Sequence, residues 1–357
     1  VDIKTGEQDM VNVGVIGMGY WGPNILRNFR SIDGVNVIAV CDKNPEVFKR
    51  ISSLMNGIRI ETDPEVLISS SDIDAVAIVT PVSTHYALAK MALENGKHVF
   101  VEKPLTLKST QAEDLIELAD MKKLKLMVDH TFIFTGAVQK IKQLIESGEV
   151  GSIYYYDSIR VNLGLFQHDV NVIWDLAPHD FSIMSFIIKD NPVAISAWGS
   201  SHVNIREDIA YITVHYNTNI IAHVSVNWLS PVKVRTTLIG GEKKMLVWND
   251  LNADEKIKIY DKGVEIKNTQ GIYDLLINYR TGDMWAPKVD QVEALRHECM
   301  HFIECIENDI QPINNGQCGL TVVKMLEACD QSLINDGRPV ELNKIDQKVP
   351  LSFGDSV

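Results

Sequence analysis

Cysteine is scarce in this 357-residue chain, which holds five: Cys41, Cys299, Cys305, Cys318 and Cys329. None forms a Cys-x-x-Cys pair, and the odd number fits reduced thiols used as small buried apolar residues rather than a disulfide framework. Long hydrophobic runs are also missing. Segments such as residues 74–80 are strand-length and far too short to span a bilayer, which argues against a membrane partner. Positive charge is in deficit. Lys and Arg number 34 against 47 Asp and Glu, a formal net charge of -13, so the chain lacks the basic face that a nucleic-acid backbone requires. Neither an internal repeat nor a low-complexity linker interrupts it. Residues 1–10 are polar and acidic without a signal-peptide pattern and read as a tag remnant or disordered lead, with Met10 a natural start. The expectation is a cytoplasmic protein, too long for one typical core and suited to two domains.

What the chain does have, from residue 11 to about 130, is regular alternation of strands and helices. Apolar strands are expected at 11–16, 35–40, 73–79, 98–101 and 124–128. Amphipathic helices are expected at 20–29, with Pro23 tolerated in the first turn, at 84–94, ended by Asn95-Gly96, and at 109–121. This pattern predicts a Rossmann domain, a doubly wound parallel sheet with ligands beyond the carboxyl ends of its strands. At the first such end stands Gly17-Met18-Gly19-Tyr20-Trp21-Gly22. In this context Gly17 permits a tight turn, Gly19 lets a pyrophosphate approach the backbone, and Gly22 lets helix and strand pack closely. Asp42 ends the second strand, where a carboxylate accepts hydrogen bonds from the adenosine ribose hydroxyls and repels a 2′-phosphate. NAD is therefore expected over NADP. The competing reading makes Asp42 a cap for the helix near Asn44-Pro45, and the neighbouring cation Lys43 is compatible with a phosphate.

Beyond residue 130 the periodicity changes. A helix at 135–147 precedes strands at 153–161, 193–198, 210–216, 220–228, 234–239 and 244–248, with a hairpin-like turn at Asn217-Thr218-Asn219. Residues 131–357 thus predict a second domain, an open, mainly antiparallel sheet covered by helices on one face. Inside it lies Trp174-Asp175-Leu176-Ala177-Pro178-His179-Asp180. Asp175 and His179 are four apart and share a helix face. Pro178 is expected within the first helical turn, which puts both residues near the positive end of the dipole, where imidazolium is disfavoured. The plainer readings are a helix N-cap for Asp175 and a satisfied core imidazole for His179.

Two further motifs, Thr80-Pro81-Val82-Ser83-Thr84-His85 and Glu102-Lys103-Pro104, close strands of the first domain. With the glycine loop and the Asp-x-x-x-His pair, they resemble the Gfo/Idh/MocA oxidoreductases along residues 11–342. The resemblance implies that Thr80, Pro81 and His85 line the cofactor groove, that Glu102 holds the nicotinamide ribose, and that Lys103 reaches cofactor and substrate. It places the catalytic base at His179, with Asp175 orienting the hydroxyl or the lysine. It also implies a homodimer or homotetramer assembled through the second sheet, and often a cis bond at the position of Lys103–Pro104. The usual glycines around the Asp-x-x-x-His arrangement are absent, which marks a subgroup. Tyr20-Trp21-Gly22-Pro23-Asn24 and the Trp174–Asp180 stretch are similar to family members of nucleotide-sugar metabolism that oxidise C3 of UDP-N-acetylglucosamine or its uronate.

Arg160, Asn162, Gln167 and Asn171, in the stretch before that helix, are candidates to bind such a sugar, or else loop scaffolding. Lys288 is a candidate phosphate contact. The rival functions are a free-sugar or inositol dehydrogenase and a catalytically silent NAD-binding regulator. His297-Glu298-Cys299-Met300-His301 matches the zinc-protease pattern. Its helix is expected to turn both histidines toward solvent, so no metal site is assigned.

Overall fold

The computed structural model describes residues 10–54, 56–164, 170–203, 205–267 and 276–345. The chain divides into two compact units, residues 1–134 with 293–323, and residues 135–292 with 324–357. In chain order the first unit contains β1 (Val11–Ile16), α1 (Gly22–Arg30), β2 (Val35–Cys41), α2 (Glu46–Arg50), β3 (Arg59–Glu61), α3 (Pro64–Ile68), β4 (Ala75–Ile78), α4 (Val82–Glu94), β5 (His98–Glu102), α5 (Ser109–Lys122) and β6 (Leu126–Asp129). The strands form one parallel sheet in the order β3-β2-β1-β4-β5-β6. Strand order reverses between β1 and β4, and a doubly wound sheet opens its ligand crevice at such a reversal. The strands are apolar on both faces because helices cover both: Val76, Ile78, Val99 and Val101 are fully buried, with Leu93, Leu115 and Val323 in the same core.

The second unit opens with α6 (Gly136–Glu146), β7 (Ile153–Leu163) and α7 (Val172–Ile187). It continues with β8 (Pro192–Ser200), β9 (Ile209–Tyr216), β10 (Ile221–Asn227), β11 (Leu229–Gly241), β12 (Met245–Asn249), β13 (Ile257–Tyr260), β14 (Gly263–Lys267), β15 (Leu276–Arg280) and β16 (Met284–Trp285). The chain then returns to the first unit with α8 (Ala294–Glu307), runs through α9 (Gly316–Ile334) and ends its described part with β17 (Val340–Glu341). The large sheet has the order β16-β13-β12-β11-β7-β10-β9-β8-β17. It is mainly antiparallel, with one parallel pair, β7 and β10. One face is buried, through Tyr156, Ser158 and Arg160 of β7 and Ala222, Val224 and Val226 of β10. The other carries a cross-strand row of Ile159, Ser225, Tyr211 and Trp198, three of them exposed large hydrophobics.

Helix α7 departs from expectation. Its N-cap is Asn171, whose Oδ1 accepts the N–H groups of Ile173 and Trp174 at 3.1 Å. Pro178 therefore lies inside the helix, beyond the first turn. An interior proline loses one backbone hydrogen bond and costs about 3 kcal/mol. Burial offsets that cost here, since Ile173, Trp174, Ala177, Phe181 and Met184 are all essentially inaccessible. The dipole effect decays within the first turn, so the expected dipole argument does not reach His179. Asp175 remains in the first turn.

Candidate cofactor and catalytic residues

In the first unit the glycine loop follows β1 directly. Gly17 has φ +97°, and a Cβ there would lie 2.4 Å from the Val79 carbonyl oxygen. A Cβ at Gly22 would lie 2.1 Å from the Gly17 carbonyl oxygen, so this position fixes how closely α1 meets the turn. A Cβ at Gly19 would meet nothing within 4 Å. Three glycines thus serve three purposes, and the middle one leaves open space where a pyrophosphate would approach the helix N-terminus. Beside the loop is a cavity of about 540 Å³, lined among others by Gly17, Gly19, Asp42, Lys43, Thr80 and Pro81. The residues present therefore fit a dinucleotide. Ser83 and Thr84, which stood in the Thr80–His85 motif without an assigned role, also line it, as do Ala87 and Leu88, which sequence did not single out; the first turns of the helix after a β-strand are where such linings arise.

Asp42 accepts the Met18 N–H at 2.7 Å on Oδ2 and the Asn44 N–H at 2.8 Å on Oδ1. These bonds tie the end of β2 to the glycine loop, and α2 is not capped by Asp42: Asn44 Oδ1 accepts the Glu46 N–H. A carboxylate offers about four acceptor sites, so two bonds leave capacity for ribose hydroxyls. Met18 is buried, whereas Tyr20 and Trp21 are exposed and pack edge to face with ring centroids 5.3 Å apart.

His85 does not line the cavity. It is 1% exposed, with Nδ1 2.9 Å from the Pro104 carbonyl oxygen and Nε2 2.8 Å from that of Thr80. Burial pushes its pKa down against the pull of these carbonyls. Its place is beneath the site, joining the turn after β4 to the turn after β5. That second turn contains Glu102, whose Oε2 accepts the Lys103 N–H at 2.9 Å, and a cis Lys103–Pro104 peptide.

The first unit also holds residues that sequence reasoning passed over. Asp129 ends β6 in register with Glu102 of β5 and neighbours Glu298 of α8, whose carboxyl Asn314 ties to the Val128 carbonyl oxygen. His130 follows, 1% exposed. The available signal was a charged pair closing an apolar strand, on the edge where this fold collects ligands. Glu298 was visible only inside the apparent zinc motif. In that motif His297 is exposed, but His301 is half-buried, correcting the expected solvent-facing orientation. His301 Nε2 accepts the Ile313 N–H at 3.1 Å, and its ring lies 5.5 Å from that of Phe134. Among the described residues no group of three or more His, Cys, Asp or Glu side chains is arranged to hold a metal.

In the second unit, Asp175 Oδ2 accepts the Trp228 indole N–H at 3.0 Å, and His179 is half-buried one turn further along α7. Asn162 belongs to this neighbourhood: a Cβ at Gly164 would fall 3.0 Å from Asn162 Nδ2 and 3.1 Å from Trp228 Cδ1. Arg160 and Asn171 do not behave as ligand-facing groups. Arg160 is 4% exposed, and its Nε donates to Asp180 Oδ2 at 2.7 Å. Ser158 Oγ donates to the other Asp180 oxygen at 2.5 Å. Asn171 is fully buried, capping α7 and donating to Glu207 and Asp330. Arg160 ties α7 to the sheet and Asn171 ties its first turn to the segment before β9 and to α9, so each of these buried polar groups has a protein partner. Gln167 lies outside the described residues. Lys288 is exposed.

Residues 11–130 match the oxidoreductase family GFO/IDH/MocA, NAD-binding Rossmann fold, and residues 138–247 match the GFO/IDH/MocA C-terminal domain. The chain is similar to UDP-N-acetylglucosamine 3-dehydrogenase of Acidithiobacillus ferrooxidans, 27% identical over 78% of this chain and 87% of that one. A solved structure of that enzyme superposes with TM-score 0.76 at 24% identity, covering 91% of this chain and 97% of the other. It is also similar to the NAD(+)-dependent scyllo-inositol 2-dehydrogenase of Bacillus subtilis, 24% identical over 94% of this chain and 97% of that one. An Agrobacterium radiobacter oxidoreductase solved with NAD+, L-tartaric acid and magnesium has the same fold, with TM-score 0.77 at 19% identity over 93% and 98% of the two chains.

Proposed function

Because the chain belongs to the GFO/IDH/MocA oxidoreductase family, we propose that this NAD-dependent dehydrogenase oxidises a secondary hydroxyl of a nucleotide-activated sugar, C3 of UDP-N-acetylglucosamine or its uronate. NAD supplies the hydride acceptor when bound. The glycine loop holds its phosphates, Asp42 its adenosine ribose and Glu102 its nicotinamide ribose. Lys103 donates to the substrate oxygen and stabilises the alkoxide character that develops there. His179 takes the hydroxyl proton, and Asp175, steadied by Trp228, orients the hydroxyl. The observation that carries this reading is the Glu102-Lys103-Pro104 turn at the carboxyl end of β5, in the same unit as a glycine-lined cavity of dinucleotide character. The sugar-nucleotide substrate rests on the likeness to the A. ferrooxidans enzyme.

A second reading, a free-sugar or inositol dehydrogenase, is favoured by the B. subtilis relative. The deciding experiment follows nicotinamide reduction with UDP-sugars, free sugars and inositols. Turnover of UDP-N-acetylglucosamine or its uronate is expected, and preference for a free polyol would transfer the assignment to the second reading. A KM for NADP+ no higher than for NAD+ would remove the role given to Asp42. We further propose that the outer face of the large sheet, with Ile159, Tyr211 and Trp198 in one row, joins copies of the chain into a homodimer or homotetramer. Light scattering of a Trp198→Glu variant checks this, with dissociation the expected result.

A further inference from the structure

Beneath Lys103 the first unit buries more acid than a Rossmann core needs. Asp129 is 4% exposed and Glu298 is fully buried. The Thr131 hydroxyl donates to Asp129 Oδ1. Asn314 Nδ2 donates to Glu298 Oε1 at 2.8 Å and to the Val128 carbonyl oxygen at 2.6 Å, pinning α8's carboxyl to the end of β6. No donor in the described residues reaches Glu298 Oε2, although the atom is buried. Its neighbour is Asp129, since Asn314 ties the Glu298 carboxyl to the carbonyl oxygen of Val128, the residue before it. Two carboxylates are both acceptors, so a hydrogen bond between them needs a proton on one. The surroundings say which. Burial holds the Glu298 carboxyl far above its usual range, and the neighbouring Asp129 drives it further in the same direction. Burial raises Asp129 as well, but hydrogen bonds from Glu298 and Thr131, and then the charge of Lys103, work against that rise.

We propose that Asp129 and Glu298 share one proton, carried by Glu298, and that the negative charge left on Asp129 is the buried counter-charge that positions Lys103. The proposal rests on the role given to Lys103 above. It makes Asp129 and Glu298 positioning residues, acting through the lysine and not on substrate. The other titratable groups facing the pair are Glu102 beside it on β5, Lys103 after it, His130 next in the chain and Cys299 next on α8. Of these only Lys103 is cationic, and its charge favours the ionised form of Asp129. Leaving an isolated carboxylate at such depth would be unfavourable. A hydrogen-bonded acid–carboxylate pair halves the charge to be buried and still supplies one.

The test compares Asp129→Asn, which deletes the charge, with Glu298→Gln, which keeps a donor toward Asp129. We expect kcat in Asp129→Asn to fall at least about tenfold below that of Glu298→Gln, the scale of one charge-assisted hydrogen bond, with KM for NAD+ little changed. Equal kcat in the two folded variants would overturn the counter-charge. The shared proton has its own readout in the intact protein. At neutral pH the infrared spectrum should contain the carbonyl stretch of a protonated carboxylic acid that Glu298→Gln removes. A spectrum without that band would overturn the proposal even if Asp129→Asn failed to fold. If Lys103→Ala itself retained full turnover, the catalytic reading would fail while the infrared band still reported on the pair.

Discussion

The two units hold their polar groups in different ways. In the first, the groups around Asp129 and Glu298 apart, several side chains are held by backbone. Asp42 accepts two N–H groups, His85 lies between two carbonyls, and Lys97 Nζ donates to the carbonyls of Ser70 and Ile73 at 2.8 and 2.7 Å. In the second, side chains hold one another across long stretches of chain. Arg160 meets Asp180 20 residues on, Trp228 meets Asp175 53 residues back, and Trp174 Nε1 donates to Asp330 156 residues on, at 2.9 Å. A backbone-held site persists when a neighbouring side chain changes. A site built from mutual side-chain pairs fails when either member is removed, because the survivor is left buried and unpaired.

The largest effect expected from this contrast falls on the second unit. Arg160→Met leaves Asp180, which is fully buried, without its cation, and should cost about 3–5 kcal/mol in denaturant unfolding. The double variant Arg160→Met with Asp180→Leu should recover most of that loss. A single variant within about 1 kcal/mol of the parent would show that the pair is replaceable by solvent and break the contrast. Next in size are the groups proposed to react. Lys103→Ala and His179→Ala should each lower kcat about 100-fold while thermal unfolding stays near the parent's, since general acid–base groups contribute on that scale. Near-normal turnover in either would remove that residue from the reaction.

The same contrast explains what was legible beforehand. The Rossmann sheet and its phosphate loop could be read because their determinants are local: three glycines within six residues, an apolar strand before them, a helix after. The Asp175/His179 face was legible because helical spacing is local too. Arg160 and Asn171 stayed open between substrate binding and scaffolding because their partners lie far along the chain, and a polar residue in a loop looks the same from sequence whether it faces a ligand or a buried carboxylate. The position of Pro178 was misjudged for a related reason. Propensity puts proline in the first turn, and only the packing of Trp174, Phe181 and Met184 explains why α7 tolerates it further in. His85 was assigned to the groove wall from its place after Pro81, when its two carbonyl partners put it below.

The glycine loop sharpens the comparison through two substitutions that look alike. Gly22→Ala places a methyl 2.1 Å from a backbone oxygen, so both thermal stability and NAD+ affinity should fall. Gly19→Ala places one in open space, so the unit should fold normally and lose only affinity, about tenfold or more, as the methyl takes up room the pyrophosphate needs. Calorimetric titration with NAD+ alongside thermal unfolding separates the two. If Gly19→Ala bound NAD+ like the parent, the phosphates would have to lie elsewhere.

The smallest effect is a pH dependence, and it is where the first unit departs from its own pattern. His130 is buried with neither ring nitrogen hydrogen-bonded. Burial, assisted by the charge of Lys103, pushes its pKa down to about 3, against about 6.5 in an unfolded chain. Between those values the unfolded state binds more protons than the native one, so this histidine makes the fold less stable as pH falls from about 6.5 toward 3. Glu298 works in the opposite sense. Its raised pKa means that the native state keeps a proton the unfolded chain releases above about 4.5, so its contribution is largest in acid and declines as pH rises. The midpoint of unfolding, followed from pH 4 to 9 in the parent, His130→Leu and Glu298→Gln, resolves the two slopes. His130→Leu should lose the acid-side decline, and Glu298→Gln should gain on the parent at the alkaline side. A parent and His130→Leu with parallel profiles below pH 6.5 would mean that the imidazole finds a partner or solvent in the native state, and that the ground beneath Lys103 is wetter than its burial indicates.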